Sequence, residues 1–337
     1  MPPDRQQEAQ RFLDGCGWGK AERRFLAGDA SDRSYQRLNM GAQSAVLMDA
    51  PPGKGDDPAD FIKIARFLRA QGLSAPEILA QDLTFGFLLI EDLGDDLYAR
   101  LIPQAPDAEE QLYAAACDVL TELHRDAPPP GLHNLTASDW AEAAGFALTW
   151  YRRAITGDAG DIPAFTACLT ALIRTHADGP RVMILRDYHA ENLLWLPDRK
   201  GLARVGLLDF QLAQMGQPGY DLVSLLQDAR RDVPPALEAQ MIARFSQGRA
   251  DPDFTASYAV LGAQRALRIL GIFARLCLVA RKPGYLHLIP RVWGQLQRNL
   301  AHPALAPLAQ LCTDALPAPT PENLERIRRK CATFPTA

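Results

Sequence analysis

Short runs with a β-like pattern of apolar and polar positions dominate the N-terminal quarter of the chain. Runs of this length, bounded by turn residues, predict β-strands. The runs are 24–27, 34–40, 44–49 and 85–90. Residues 41–43 suit a hairpin turn between the second and third runs, whereas the Pro/Gly-rich stretch 51–55 cannot continue a strand. Helical spacing follows at about 58–71, so this quarter predicts a small β-rich lobe with one helix.

Helical periodicity takes over from about residue 107. The helical segments are about 107–127, 138–155, 165–176, 235–247, 254–280 and 289–300. One β-like interruption, 192–196 and 203–210, is joined by a turn, and the proline-rich tail is expected to pack loosely until a short helix at 322–330. We therefore predict an α+β, bilobal fold, with a β-rich lobe over 1–92, a helical lobe with an embedded β-hairpin over 93–337, and a cleft between them.

Composition narrows the class of protein. The chain has 337 residues, 47% of them hydrophobic and 23% charged, which is ordinary for a globular protein. A net charge of −4 lacks the basic excess on which nucleic-acid binding relies, so we expect no nucleic-acid partner. The six cysteines contain no Cys-x-x-Cys pair, and no signal-peptide or membrane-spanning pattern is present. We expect a cytoplasmic protein with no membrane partner.

The embedded hairpin is flanked by acidic and amide residues in an informative spacing. Asp187 and Asn192 form an Asp-x-x-x-x-Asn motif, and Asp209 follows the second strand. The motif alone means little, because surface loops are rich in both residue types. Together with the hairpin and the Gly-x-Pro-x-x-Asp-Leu stretch at 216–222, it resembles the protein-kinase-like superfamily and, within it, the aminoglycoside phosphotransferase and choline kinase family.

The resemblance implies a kinase that uses ATP and Mg²⁺. Phosphoryl transfer asks a protein mainly to position two reactants and to neutralise negative charge. By resemblance, Asp187 orients the acceptor hydroxyl and takes its proton, while Asn192 and Asp209 bind Mg²⁺. His189 and Asp221 brace the catalytic loop, although Asp221 is equally suited to start the helix that follows it. Leu185 stands where the family's loop-bracing histidine is usual.

The resemblance also locates a nucleotide site in the β-rich lobe. The loop between the first two strands covers the phosphates in this fold, and small residues let its backbone amides approach them. The nucleotide-binding candidates in this loop are Gly28, Ala30, Ser31 and Arg33. A polar hairpin loop without a ligand is the alternative, since no Gly-x-Gly-x-x-Gly signature is present. Glu91 and Leu93 lie in the connector, where backbone groups are expected to hold the adenine edge.

The third strand departs from the kinase pattern. Met48 and Asp49 occupy the place of the lysine that normally holds the α- and β-phosphates. Lys63, on the following helix, stands where a glutamate is usual and is therefore a candidate to pair with Asp49 and bind nucleotide. A solvated Lys63 on an exposed helix face is the alternative.

Several short motifs resemble one subgroup, the bacterial anomeric kinases of N-acetylmuramate and N-acetylglucosamine, which act in cell-wall recycling. The motifs lie at 28–31, 48–52, 185–189, 206–211 and 264–267. This resemblance implies an amino sugar as the small-molecule substrate. Arg265 and Arg268 are candidates to bind a sugar carboxylate, because arginine matches carboxylate geometry, although a solvated helix face also explains them. An aminoglycoside phosphotransferase and an ATP-binding pseudokinase or scaffold are the alternatives.

Overall fold

The computed structural model describes residues 3–28, 33–247 and 253–334. Its strands are β1 (Glu22–Gly28), β2 (Ser34–Met40), β3 (Gln43–Asp49), β4 (Ile78–Asp82), β5 (Phe87–Glu91), β6 (Val182–Ile184), β7 (Leu193–Trp195), β8 (Val205–Leu207) and β9 (Gln214–Gly216). The helices before β6 are α1 (Pro3–Gly15), α2 (Pro58–Ala70), α3 (Tyr98–Gln104), α4 (Glu109–Leu123), α5 (Ala137–Ala144), α6 (Arg153–Thr156) and α7 (Ile162–His176). The helices after β9 are α8 (Tyr220–Leu226), α9 (Pro235–Ser246), α10 (Phe254–Leu278), α11 (Ile289–Leu300), α12 (Ala306–Ala315) and α13 (Pro321–Arg329).

The described chain divides into two compact units, which are the residues 1–131 with 185–213, and 132–184 with 214–337. The mixture of a sheet and many helices confirms the α+β class. The first unit extends past the predicted lobe boundary at residue 92 and takes in the embedded hairpin. Backbone hydrogen bonds explain this grouping, since the Leu207 amide donates to the Ser74 carbonyl and the Ala99 amide to the Ala190 carbonyl.

A five-stranded antiparallel sheet, in the order β1-β2-β3-β5-β4, forms the N-terminal part of the first unit. The register between β2 and β3 pairs Ser34 with Asp49 and Met40 with Gln43, so the chain turns at residues 41–42. The predicted strands 34–40 and 44–49 are therefore confirmed. The prediction of a single helix in this region is wrong, because α1 precedes the sheet, and β4 was also not predicted.

Helix α1 covers one face of this sheet. Ala9 and Leu13 are fully buried in a cluster with apolar residues of three strands. The strand members of this cluster are Leu38, Ala45, Leu47, Phe87 and Leu89. The sequence signal for α1 is weak because most of its positions are polar, and only a narrow apolar stripe reaches the sheet.

The second unit is built around α10, most of whose residues are buried. This helix packs against α5, α7, α8 and α11. The tail differs from the loose packing expected, since α12 buries Leu308 and Cys312. Pro307 and Pro321 lie in the first turns of α12 and α13, where a missing N–H costs nothing, so these prolines start helices rather than preventing them. Within the described residues, no helix has the length and apolarity needed to cross a membrane.

Candidate active site

A pocket of about 350 Å³ lies in the first unit. Val46 and Ile90, which are direct partners across β3 and β5, form part of its wall. They lie on the sheet face opposite to α1, because side chains alternate along a strand and the neighbouring Leu47 belongs to the α1 cluster. The rest of the wall comes from β1, the connector after β5, and the two segments that flank the β7–β8 hairpin.

Asp187 lies in a tightly closed loop before β7. The Asp187 amide donates to the Leu185 carbonyl at 2.9 Å, and Arg186 between them adopts a left-handed backbone with φ 72°. The Asn192 side-chain nitrogen donates to the Asp187 carbonyl at 2.9 Å, and the Asn192 amide donates to the His189 carbonyl at 2.8 Å. The loop therefore links the first and last residues of the Asp-x-x-x-x-Asn motif. His189 is buried, and its predicted bracing role stays a prediction.

The β7–β8 hairpin brings Asn192 and Asp209 to one end of the pocket. Leu193 pairs with Leu207, and the Leu208 amide donates to the Asn192 carbonyl at 3.0 Å, so Asp209 follows directly after the last bonded pair. Both Asn192 and Asp209 line the pocket. We call this region the phosphate end of the pocket.

The donor set at the phosphate end fits a magnesium ion. The nitrogen of the Asn192 amide is engaged with the Asp187 carbonyl, which leaves the amide oxygen to turn away from that bond. An amide oxygen and a carboxylate are hard oxygen ligands of the kind Mg²⁺ prefers, with water completing its shell. Within the described residues, no group of three or more His, Cys, Asp or Glu side chains is arranged to hold a metal ion.

Arg33 contacts the Asp209 carboxylate from behind the pocket wall. Its guanidinium Nη2 lies 3.2 Å from Asp209 Oδ1 and 3.4 Å from Asp56 Oδ2. Gln211 Nε2 donates to the same Asp209 oxygen at 2.8 Å. Sequence reasoning identified Arg33 but missed Asp56 and Gln211. Gln211 stands two residues after Asp209, inside a motif already singled out, whereas nothing in the local pattern marks Asp56.

The opposite end of the pocket, which we call the connector end, is formed by residues 91–95. The Glu91 carboxylate accepts hydrogen bonds from Arg199 and, at 3.4 Å, from Arg69. The Glu91 amide donates to the Glu77 carbonyl at 2.9 Å, which continues the sheet pairing. The predicted contact of Glu91 with adenine stays a prediction, and Leu93 is placed in the pocket wall.

Arg37, which lies on β2, forms ion pairs with two carboxylates of the same connector. Its guanidinium lies 2.8 Å from Asp92 Oδ2 and 2.6 Å from Asp95 Oδ2. The hydrogen bond from Arg37 holds the pKa of Asp95 below its ordinary value, and the carboxylates in turn raise the pKa of Arg37. Arg37, Asp92 and Asp95 all line the pocket, and none of them was predicted.

The predicted ion pair between Asp49 and Lys63 is wrong. Asp49 Oδ1 accepts from Nη2 of Arg5 at 2.6 Å, and the same guanidinium lies 3.9 Å from the centre of the Phe87 ring. Lys63 Nζ donates to the Pro130 carbonyl at 2.6 Å. The reason is strand alternation, because Asp49 shares the α1 face with Phe87 while buried, uncharged Met48 takes the other face. Neither charged residue lies in the pocket wall, and their predicted contact with nucleotide stays a prediction.

The remaining candidates of the first unit fall in the loop between β1 and β2. Gly28 lines the pocket, as the phosphate-covering prediction requires. Ala30 and Ser31 lie outside the residues that the structure describes.

The second unit holds the other three candidates. Asp221 is fully buried in the first turn of α8. Arg265 is only 7% exposed, and its guanidinium donates to the Ser224 hydroxyl at 2.8 Å. Arg268 is half-buried and Arg275 is exposed, so the arginines of α10 do not form one solvated stripe. Arg265 belongs to the core of this unit because it points toward α8 rather than along the outer face.

The chain is similar to known proteins along most of its length. Residues 22–258 match the model of a family described as "Phosphotransferase enzyme family". An N-acetylmuramate/N-acetylglucosamine kinase of Caulobacter vibrioides is 40% identical, over 91% of this chain and 96% of that protein. A kinase of the same name from Pseudomonas aeruginosa is 31% identical, over 90% of this chain and 95% of its own length.

Solved structures extend the similarity to the fold. The choline kinase LicA from Streptococcus pneumoniae is similar with a TM-score of 0.58 at 13% identity, over 90% of this chain and 99% of that one. ADP-bound aminoglycoside phosphotransferase APH(2'')-Ib is similar with a TM-score of 0.58 at 14% identity, over 88% of this chain and 97% of its own. These likenesses confirm the predicted protein-kinase-like fold.

Proposed function

Because the chain belongs to the phosphotransferase enzyme family, we propose that it transfers the γ-phosphate of ATP to the anomeric hydroxyl of N-acetylmuramate or N-acetylglucosamine. The observation that carries the proposal is the 40% identity to a kinase of that name along nearly the whole of both chains. The pocket supports it independently, since Asn192 and Asp209 lie in its wall and Asn192 is bonded to Asp187.

Each residue of the site has a task in this reaction. Asp187 orients the acceptor hydroxyl and accepts its proton as the hydroxyl oxygen attacks phosphorus. Asn192 and Asp209 hold Mg²⁺, which when bound neutralises the charge of the β- and γ-phosphates. The connector end receives the adenine, with Leu93 and Ile90 supplying apolar contacts. ATP as the phosphate donor suits a cytoplasmic enzyme.

An ADP-release screen with Mg²⁺ tests the proposal. We expect ADP release with N-acetylmuramate and N-acetylglucosamine and none with the methyl glycoside of N-acetylglucosamine, whose anomeric oxygen is blocked. Aminoglycosides offered to the same preparation serve as the second comparison.

The outcomes separate the alternatives. Turnover of the methyl glycoside places the phosphate on another hydroxyl and overturns the anomeric assignment. Turnover of aminoglycosides alone makes the protein an antibiotic kinase. ATP binding without turnover of any acceptor supports the pseudokinase alternative.

A further inference from the structure

We propose that Arg33 and Asp56 form the cation–carboxylate pair that replaces the missing strand lysine and its helical partner. In this proposal Arg33 supplies positive charge to the nucleotide phosphates, and Asp56 is the positioning residue that holds the guanidinium. The inference rests on the proposed kinase function, because it assumes that a nucleoside triphosphate occupies the pocket.

The distribution of positive charge around the pocket creates the need for such a residue. Within the described part of the wall, the cationic side chains are Arg37 and Arg100, and both lie at the connector end. Arg37 is engaged by Asp92 and Asp95, while Arg100 lies 3.9 Å from Asp95. At the phosphate end, the position on β3 that faces away from α1 is Met48, which carries no charge.

Arg33 lies next to the phosphate end, behind the pocket wall. It immediately precedes β2, and its guanidinium contacts Asp209, the predicted metal ligand at the phosphate end. Arg33 is only 3% exposed. Burying a guanidinium costs several kcal/mol of desolvation unless anions compensate for it. An arginine in a solvated loop has no such desolvation cost. The burial of Arg33 between two carboxylates therefore indicates a specific structural role rather than a solvated surface charge.

Asp56 is placed to act as the partner. Helix α2 is capped by Asp57, whose side chain accepts from the Ala59 amide, so Asp56 is not needed as the cap. The Asp56 carboxylate instead lies 3.4 Å from Arg33 Nη2. Kinases with a strand lysine pair it with a glutamate inside the helix that follows the strand. Here the carboxylate comes from the loop just before that helix, and the cation comes from the residue just before β2.

Gln211 completes the cluster. Its Nε2 lies 2.8 Å from Asp209 Oδ1 and 3.4 Å from Asp56 Oδ2, so it ties the two carboxylates together. When a divalent cation binds at Asp209, that carboxylate gains a second cationic partner beside Arg33. Asp56 then remains as the group that keeps the guanidinium beside the phosphates.

The test measures nucleotide binding without any acceptor, by isothermal titration calorimetry of the full chain with Mg²⁺. We expect Arg33→Met to weaken ADP binding at least about tenfold, because a charge-assisted contact to phosphate is lost. Adenosine, which has no phosphate, should bind within about twofold of its wild-type affinity. Arg33→Lys should recover part of the ADP affinity. The matched control is Lys54→Met, which removes an exposed cation from the loop that carries Asp56.

The partner residue is tested by non-additivity. Asp56→Asn should weaken ADP binding by several-fold, and adding it to Arg33→Met should cause no further loss, because the two residues act as a unit. In turnover assays, Asp56→Asn should raise the KM for ATP and leave the KM for the acceptor unchanged. Asp60→Asn, an exposed carboxylate in the first turn of α2, is the control.

Three results would overturn the proposal. They are unchanged ADP affinity in Arg33→Met, equal losses for ADP and adenosine, and additive losses in the double variant. If Arg33→Met does not fold, Arg33→Lys and Asp56→Asn decide the question alone. Because no sugar is present in the binding assay, its outcome is independent of whether the proposed acceptor is correct.

Discussion

The two ends of the pocket handle negative charge in opposite ways. At the connector end, Glu91, Asp92 and Asp95 each have an arginine partner from a distant part of the chain. At the phosphate end, Asp209 and Asp56 share Arg33. The connector end is thus framed by separate ion pairs, whereas at the phosphate end two carboxylates contact the same guanidinium and a bound cation would give Asp209 a second positive partner.

The positions with a left-handed backbone conformation also differ between the two regions. The connector takes a left-handed conformation at Gly94, with φ 87°, where glycine adopts it without cost. Arg186 of the catalytic loop and Asp209 after β8 take it with φ 72° and 54°, and a side chain makes this conformation unfavourable. Left-handed backbone thus falls on a glycine in the connector and on residues with side chains in the catalytic loop and after β8.

Among the tests of this comparison, Asp187→Asn is expected to have the largest effect, and that effect is on kcat. Loss of the proton acceptor should lower kcat by about 10²-fold or more, since general-base catalysis contributes about 10²–10⁴. Nucleotide affinity, measured by calorimetry, should stay close to wild type. Asp198→Asn, in the exposed turn between β7 and β8, is the control. Wild-type turnover in Asp187→Asn would remove this carboxylate from the mechanism.

Asp209→Ala addresses the cation at the phosphate end. We expect the gain in ADP affinity that Mg²⁺ gives the wild type to disappear, because the carboxylate ligand is gone. ADP affinity measured without divalent metal should change much less. Titrations with and without Mg²⁺ check this, and a variant that still gains the full affinity from Mg²⁺ contradicts the assignment of Asp209.

At the connector end, Glu91→Gln is expected to act on stability rather than on chemistry. Removing the charge weakens contacts with both Arg69 and Arg199, and the free energy of unfolding should fall by about 1 kcal/mol, as for partly exposed pairs. Turnover should stay within about threefold. Urea unfolding and steady-state assays measure the two effects, with the more exposed Glu77→Gln as the control. A loss of kcat comparable to that of Asp187→Asn would break the distinction between the two ends.

The smallest effect is the pH dependence of the Arg37–Asp95 pair. The pKa of Asp95 is lowered by Arg37, so this pair adds stability that is fully present above the unfolded pKa of about 4. That stability is lost as the pH falls through the lower folded pKa. The urea midpoint of wild type should therefore exceed that of Asp95→Asn at pH 7, and the difference should shrink at pH 3. A difference that is constant with pH would show that Arg37 does not bind the charged carboxylate.

Local pattern determined a large part of this protein. The short β-like runs at 34–40 and 44–49 predict β2 and β3, and the motif from Asp187 to Asn192 closes a loop through its own hydrogen bonds. Residue type and spacing also located Asp209 at the end of β8. These features depend on neighbours in the sequence, which is why a single sequence reveals them.

Tertiary structure alone decided which charges meet. Arg33 and Asp209 are 176 positions apart, and no periodicity links them. From the sequence, Asp49 was predicted to pair with Lys63. Strand alternation instead directs Asp49 toward α1, where it pairs with Arg5. The sequence signal of α1 was too weak for this helix to be predicted. Long charged side chains reach several ångströms, and which partner lies within that reach depends on how distant segments pack. Local sequence therefore specified the strands and the catalytic loop, whereas the packing of distant segments selected the ion pairs that frame the pocket.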